Sequence, residues 1–92
     1  MNQELKDFIY KHKALFWYTP EDGLYRISDE LLVETILNYG TLKDITELFR
    51  IISIERAALT FRNLIGRKKG NYFPEVYNFF NIVFNKYVPK HS

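Results

Sequence analysis

The chain of 92 residues has room for one domain with a single core. Hydrophobic residues make up 47% of it and aromatic residues 17%, which argues against disorder and predicts a core built largely from Phe and Tyr rings. Without cysteine the chain cannot form a disulfide or a thiolate metal site, and a reducing compartment is its natural setting. Neither a signal peptide nor an apolar run of about 20 residues is present, so we expect a cytoplasmic protein that does not enter a membrane.

Charge is unevenly divided along the chain. Residues 1–55 contain six Lys or Arg and ten Asp or Glu, a net charge of −4, whereas residues 56–92 contain seven Lys or Arg and one acidic residue, a net charge of +6. Such polarity favours an oriented encounter with a charged partner, either nucleic acid or an acidic protein surface. The alternative is attraction between the two halves of one domain.

The first predicted element is a helix over residues 3–16, because its apolar residues recur at helical spacing. These residues are Leu5, Phe8, Ile9 and Leu15 or Phe16. His12 lies on the same face, where an imidazole is more often partly buried and hydrogen-bonded than a metal ligand or a base. We therefore assign His12 to the core.

An aromatic segment and a turn follow this helix. Phe16, Trp17 and Tyr18 come before Pro20, and the order of Pro20, Asp22 and Gly23 is typical of a turn. We interpret Phe16 and Trp17 as anchors that hold this connection on the core, and the alternative is an exposed aromatic contact for a partner. Residues 24–27 fit a short extended piece that has no partner strand.

A second helix is predicted over Asp29–Tyr39, with Ser28 or Asp29 at its start. Acidic residues lie in its early part, where the helix dipole favours negative charge. Gly40 is expected to take the left-handed conformation that commonly ends a helix. The broad apolar face of this helix consists of Leu32, Val33, Ile36, Leu37 and Tyr39.

Two short helices with a tight join are predicted within Thr41–Asn63. Thr41 and Asp44 match a shortened capping box, and Ser53 can cap the second helix. The pair has the length of a helix-turn-helix motif, although the glycine typical of its turn is missing. The apolar stripes are Leu42, Ile45, Leu48, Phe49 and Ile52 in the first helix and Ile54, Ala57, Ala58, Phe61, Leu64 and Ile65 in the second.

A basic loop and an apolar helix complete the chain. Residues 66–71 read Gly-Arg-Lys-Lys-Gly-Asn, and with Arg56 and Arg62 they place five cations and no acidic residue between residues 56 and 74. Clusters of this kind contact phosphates, and the alternative is a solvated loop near a helix end. Pro74 opens the last helix, which is apolar around most of its circumference and is therefore expected to be central or covered by a partner.

Several short motifs resemble a small bacterial domain of unknown function. They are Leu15-Phe16-Trp17, the run from Ile36 to Phe49, the Glu55-Arg56 helix start, the basic loop and Tyr77-Asn78-Phe79-Phe80. The resemblance covers about residues 15–87, with Phe80 where that family commonly has Trp and Tyr18 where Asp is common. Members of the family are often encoded beside a nucleotidyltransferase-like toxin of the abortive-infection type, which implies an antitoxin-like partner role.

The sequence as a whole predicts an all-α, compact single-domain bundle of about five short helices over residues 1–92. We expect a non-enzymatic protein-interaction module, an antitoxin-like partner of a nucleotidyltransferase-type toxin, because no nucleophile–base pair, metal-ligand set or cofactor loop is recognisable. The alternative is a helix-turn-helix-like DNA-binding regulator. No cofactor or metal is expected, and self-association is left open. The candidate contacts for a partner or nucleic acid are Trp17, Arg56, Arg62, Arg67, Lys68, Lys69, Tyr72 and Phe73.

Overall fold

A computed structural model of the protein describes residues 2–63 and 71–89. These residues form helices and no β-strand, which confirms the predicted all-α class. The α-helices are α1 (Gln3–Lys11), α2 (Asp29–Tyr39), α3 (Leu42–Ile52), α4 (Ile54–Arg62) and α5 (Pro74–Tyr87). Two 3₁₀-helices, Lys13–Phe16 and Glu21–Arg26, lie between α1 and α2. None of the helices in the described part of the chain has the length and apolar content needed to cross a bilayer.

The first helix is shorter than its apolar pattern predicted. α1 ends at Lys11, and His12 leaves helical geometry with φ −105° and ψ 20°. One ring nitrogen of His12 lies 2.8 Å from the carbonyl oxygen of Phe8, and the other lies 2.9 Å from the carboxylate of Asp44 on α3. The predicted hydrogen-bonded core histidine is therefore confirmed, and the same contacts end α1 because the ring binds the last turn and holds it on α3.

Of the residues predicted to form an extended piece between α1 and α2, only Ile27 has extended backbone, with φ −69° and ψ 149°. Leu24 and its neighbours lie in the second 3₁₀-helix, Glu21–Arg26, and the Leu24 side chain is buried. The prediction of a short extended stretch over residues 24–27 is therefore wrong for residues 24–26, since a single strand without a partner gains nothing to offset its unpaired backbone groups. A 3₁₀-turn satisfies some of those groups locally, as in the bond from the amide of Gly23 to the carbonyl of Pro20.

Gly40 ends α2 for a reason other than the predicted left-handed geometry. Its φ is −78°, which any residue can adopt, and its amide donates to the carbonyl of Ile36 at 2.8 Å. A Cβ atom built on Gly40 would lie only 2.7 Å from that same carbonyl oxygen. The position requires glycine because the backbone passes too close to α2 for any side chain.

The join between α3 and α4 is a single residue. Thr41 and Asp44 form the predicted capping box at the start of α3, and Ser53 accepts a hydrogen bond from the amide of Arg56 at 3.1 Å as the predicted cap of α4. Ser53 has φ 78° and ψ 147°, a region that residues other than glycine rarely occupy. The chain accepts this backbone strain because a one-residue turn leaves no other path between two packed helices.

The core is formed mainly by α2 packed on α4, with α1 and α3 beside them and α5 attached at one side. α5 is joined to α3 and α4 by aromatic rings: Phe84 lies 5.7 Å from Phe49 and 5.2 Å from Phe61, measured between ring centroids. Only Phe80 and Phe84 of α5 are fully buried, whereas Phe79 and Ile82 are exposed. α5 is therefore peripheral. Its apolar composition predicted a helix that is either central or covered by a partner, and the structure does not place it at the centre.

We predict that Asp44 gives the protein a specific sensitivity to acid. The amide hydrogen bond from Thr41, and then the contact with His12, hold the pKa of Asp44 below its ordinary value of 3.8. This contribution is present at neutral pH and is lost as pH falls through the lowered pKa, so the free energy of unfolding should decline between about pH 5 and pH 2. Chemical unfolding followed by circular dichroism across this range measures the decline.

The matched variants are Asp44→Asn and Asp22→Asn. Asp44→Asn should lower the free energy of unfolding by about 1 kcal/mol at neutral pH and should flatten the decline in acid. Asp22 lies on the exposed second 3₁₀-helix, away from the α3 cap, and Asp22→Asn should leave the slope unchanged. Equal slopes for the Asp44→Asn variant and the wild type would show that Asp44 does not set the acid limit.

A pair of substitutions at Ser53 separates backbone strain from helix capping. Ser53→Gly should raise the free energy of unfolding by about 0.5–1 kcal/mol, because relief of the positive φ exceeds the small loss of the cap and the extra chain entropy. Ser53→Ala keeps the strain and loses the cap, so it should lower the same quantity by about 1 kcal/mol. Urea unfolding measures both values, and a destabilised Ser53→Gly variant would contradict the strained geometry.

Candidate functional site

The most exposed large aromatic side chain among the described residues is Trp17. It is 80% exposed, although the preceding residue, Phe16, is 1% exposed and anchors the segment in the core. The predicted anchoring role is therefore confirmed for Phe16 and wrong for Trp17, because consecutive side chains around a 3₁₀-turn point about 120° apart. The alternative considered for this segment, an exposed aromatic contact, fits the position of Trp17.

The side chain of Tyr18 packs against Trp17 and also contacts α2. Its ring lies edge-on to the indole at a centroid distance of 5.2 Å and an interplanar angle of 86°, an arrangement that aromatic pairs favour. Its hydroxyl lies 3.2 Å from the hydroxyl of Thr35, a residue of α2 that is 1% exposed. The hydrogen bond thus joins Tyr18 to α2, and the ring contact places the exposed indole of Trp17 beside Tyr18.

Trp17 forms one wall of a surface cavity of about 410 Å³, a volume typical of binding sites. We call it the Trp17 cavity, and its lining consists of Trp17, Tyr18, Ser28, Glu30, Leu31, Glu34, Tyr39 and Asn71. Three aromatic side chains and two carboxylates therefore meet around one hollow. Aromatic faces and carboxylates both attract cations, and together they form the kind of site that holds an ammonium or guanidinium group.

Residues at the end of the basic loop and just after it form hydrogen bonds with α2 beside the cavity. Asn38 of α2 donates its side-chain amide to the carbonyl of Asn71 at 2.9 Å and accepts from the amide of Phe73 at 3.1 Å. Phe73 in turn lies edge-on to Tyr39, with centroids 5.4 Å apart. These contacts fix the chain against α2, so Tyr39 and the half-exposed Phe73 extend the aromatic surface beyond the cavity.

The carboxylates of the cavity come from one stripe of α2. Glu30 and Glu34 are four residues apart, and like charges at this spacing repel each other. Glu34 accepts a weak hydrogen bond from the side-chain amide of Asn71 at 3.4 Å, whereas no ion pair within the described residues involves Glu30. A cation placed between the two carboxylates would relieve this repulsion.

Most ion pairs between described residues lie within the acidic half of the chain. Lys11 pairs with Glu47, His12 with Asp44, Lys13 with Glu21 and Arg50 with Glu4, and all of these residues precede residue 56. The pair between Arg56 and Asp29 is the one described pair that joins the two halves. Four of the ion pairs between described residues therefore lie within the acidic half, and Glu30 takes part in none of the described pairs.

Two of the predicted contact residues, Arg56 and Arg62, form hydrogen bonds with other residues of the chain. Arg56 makes a two-point contact with Asp29 at 2.9 and 2.7 Å, and this hydrogen bonding raises the pKa of its guanidinium above the ordinary value. Arg62 donates to the carbonyls of Phe84 and Val88 and so caps the C-terminal end of α5. Both guanidinium groups that the DNA-binding alternative places on nucleic acid are engaged here, and that alternative stays a prediction.

Of the remaining predicted contact residues, one lies in the core, one lies on the surface and three lie outside the described residues. Tyr72 is 4% exposed, with its ring 5.1 Å from Phe61 and 6.2 Å from Tyr77, so it belongs to the core rather than to a contact surface. Burial, and then the charge of Glu34, raise the pKa of Tyr72. Phe73 lies on the surface, and Arg67, Lys68 and Lys69 lie outside the described residues.

Sequence reasoning missed most of the cavity. Tyr18, Tyr39, Glu30 and Glu34 were not candidates, because each has an ordinary explanation in its own helix or turn. The available signal was the repulsive spacing of Glu30 and Glu34 on α2, together with the cluster of three aromatic residues that ends at Tyr18, 12 residues before Glu30. No pattern in the sequence showed that these two features face each other.

Comparisons with known proteins give no family assignment: no family model, no curated protein and no solved structure matches the chain. Within the described residues, no group of three or more His, Cys, Asp or Glu side chains could hold a metal ion. The chemistry of the Trp17 cavity is therefore the basis of the functional argument.

We predict that the buried hydroxyl of Tyr72 does not stabilise the protein. No described residue forms a hydrogen bond with it, and an unpaired buried polar group costs free energy. Tyr72→Phe should therefore leave the free energy of unfolding unchanged or raise it by up to about 1 kcal/mol, whereas Tyr72→Ala should lower it by about 3–4 kcal/mol through loss of the ring. Urea unfolding tests both, and a clear loss in Tyr72→Phe would reveal a partner for the hydroxyl.

Proposed function

We propose that the protein is a non-enzymatic protein-interaction module that binds a basic segment of a partner protein in the Trp17 cavity. The observation that carries this proposal is that Trp17 is 80% exposed and lines a cavity of about 410 Å³, which is also lined by two tyrosines and two carboxylates. Exposing an indole ring to water is costly, and exposed tryptophans are enriched among the residues that dominate protein interfaces.

The chemistry of the cavity favours arginine over other partner side chains. A guanidinium group is planar, stacks on aromatic rings and binds carboxylates at two points, whereas lysine offers a compact and strongly hydrated charge. The indole of Trp17 would take the stacking contact, and Glu30 and Glu34 would take the charge. One such cation–π contact contributes about 0.5–2 kcal/mol, depending on how completely water is excluded.

The acidic half of the chain would bring a basic partner to this surface. Residues 1–55 carry a net charge of −4, and the ion pairs between described residues leave Glu30 unneutralised. Charge of one sign around a site raises the rate of encounter with the opposite charge and makes that rate sensitive to salt. A partner bound in this way would have the surface around its basic segment covered.

The sequence resemblance supplies a candidate for the partner. If the protein is the antitoxin-like companion of a nucleotidyltransferase-type toxin, the toxin would contribute the basic segment and would be inhibited by occlusion. Basic surfaces are expected on an enzyme that handles nucleotides or nucleic acid, because such substrates carry phosphate groups. The Trp17 cavity would then act by occupying cationic residues of the toxin.

The cavity can be tested without knowing the partner. N-acetylarginine amide is the probe, and N-acetylcitrulline amide is its neutral control of nearly the same shape. In a nuclear magnetic resonance titration, the arginine probe should shift the indole N–H signal of Trp17 and the amide signals of Glu30 and Glu34, with a dissociation constant of about 1 mM. The citrulline probe should produce shifts at least about tenfold weaker, because it lacks the charge.

Matched variants locate the binding. Trp17→Ala should weaken arginine binding about tenfold, and the double substitution of Glu30→Gln and Glu34→Gln should do the same. Leu42→Ala is the control, since Leu42 is 73% exposed on α3 and does not line the cavity. Equal binding of the two probes, or full binding by Trp17→Ala, would refute the cation site.

The partner itself requires a separate experiment. The product of the neighbouring gene, co-expressed with the tagged protein, should co-purify at low salt and be lost on Trp17→Ala but not on Leu42→Ala. If the toxin still co-purifies with the Trp17→Ala variant, the proposed surface is contradicted. If the toxin does not co-purify with the wild type although the arginine probe binds, the partner is another basic protein.

A further inference from the structure

The outer face of α5 carries exposed apolar side chains that no described residue covers. Phe80 and Phe84 face the core, whereas Phe79 is 55% exposed and Ile82 is 68% exposed on the opposite side. These two residues are three apart and therefore adjacent on one face of the helix. The charged residues Glu75 and Lys86 extend this face in each direction.

The four residues Glu75, Phe79, Ile82 and Lys86 form what we call the α5 stripe. Their spacing is four, three and four residues, which is the spacing of the positions that meet along the seam of two packed helices. The stripe therefore has the pattern of a short helix-pairing surface, with apolar residues at its centre and one charge of each sign at its ends. All four side chains are exposed.

The α5 stripe is complementary to itself when it is reversed. The midpoint between Phe79 and Ile82 is also the midpoint between Glu75 and Lys86, so a two-fold axis through it relates all four positions. In an antiparallel pair, Phe79 of one copy meets Ile82 of the other, and Glu75 meets Lys86 at both ends. A parallel pair would instead place like charges opposite each other, which is unfavourable.

We propose that two copies of this chain associate through their α5 stripes as an antiparallel, two-fold symmetric pair. Such a contact is isologous, the commonest arrangement in symmetric dimers. Asn78 and Asn85 lie beside the stripe as an exposed polar rim, in keeping with the apolar centre and polar border of protein interfaces. No residue of the Trp17 cavity belongs to α5, so the inference does not depend on the proposed function.

The size of the contact sets the expected strength. A stripe with two apolar side chains from each copy buries less than the roughly 1,200–2,000 Å² of stable complexes, so the dissociation constant should be about 0.1–1 mM for the free chains. Pairing would place two Trp17 cavities in one assembly. A partner with two basic segments could then bind both sites and gain affinity through effective concentration.

Sedimentation equilibrium of the full chain, from about 10 μM to about 1 mM at low salt, measures the pairing. The wild type should fit a monomer–dimer equilibrium. Ile82→Asn should abolish the dimer within this range because it removes the apolar centre. Leu59→Asn is the matched control, since Leu59 is 62% exposed on α4 and outside the stripe, and it should leave the equilibrium unchanged.

Charge reversal tests the antiparallel register. Glu75→Lys alone and Lys86→Glu alone each place like charges opposite each other at both ends and should weaken dimerisation about tenfold. The double variant with both reversals should restore it to within about threefold of the wild type. Both reversals oppose the dipole of α5, so a general effect on helix stability would make the double variant worse rather than better.

Each result bears on the proposal. A wild type that stays monomeric at the highest concentration overturns it, and so does a dimer that survives Ile82→Asn. Failure of the double variant to recover overturns the antiparallel register, provided that circular dichroism shows the variant to be as helical as the wild type. If the double variant is less helical, the register is judged from the single charge reversals and the contact from Ile82→Asn, because these exposed single substitutions leave the buried face of α5 intact. Single reversals that leave dimerisation unchanged then overturn the antiparallel register.

Discussion

The carboxylate of Asp44 joins the end of α1 to the start of α3, and the site depends on this contact. One oxygen accepts the amide of Thr41 to complete the α3 cap, and the other lies 2.9 Å from the ring of His12. Because His12 also contacts the last turn of α1, the helix stops and the chain turns through a 3₁₀-helix. That turn buries Phe16 and leaves Trp17 in solvent beside α2.

The distribution of charge has a consequence for the Trp17 cavity. Ion pairs within the acidic half use lysines and arginines near α1 and α3, and Arg56 alone among the described basic residues beyond residue 55 forms an ion pair with that half. The stripe of α2 that carries Glu30 and Glu34 lies beside the aromatic rings that line the Trp17 cavity. The negative charge lies where exposed indole and phenol rings also attract cations, so both features favour the same class of ligand.

α5 illustrates how an apolar helix can serve two purposes. Its inner side is held by Phe80 and Phe84 and by the cap from Arg62, which satisfies carbonyl groups at its C-terminal end. This attachment leaves the α5 stripe on the opposite side, separate from the Trp17 cavity. The proposed partner site and the proposed self-association therefore use different helices, and one molecule can engage in both.

The sequence by itself determined the helix ends and caps that depend on residues no more than four positions apart. These are the start and end of α2, the Thr41–Asp44 capping box, the Ser53 cap and the start of α5 at Pro74. Only the tertiary structure decided the early end of α1, the burial of Tyr72, the internal roles of Arg56 and Arg62, and the meeting of Trp17 with Glu30 and Glu34. The physical reason is range. Helical spacing and caps are local, whereas each of those outcomes depends on contacts between residues far apart in the chain, and an apolar pattern specifies that a side chain is buried or exposed without specifying its neighbours.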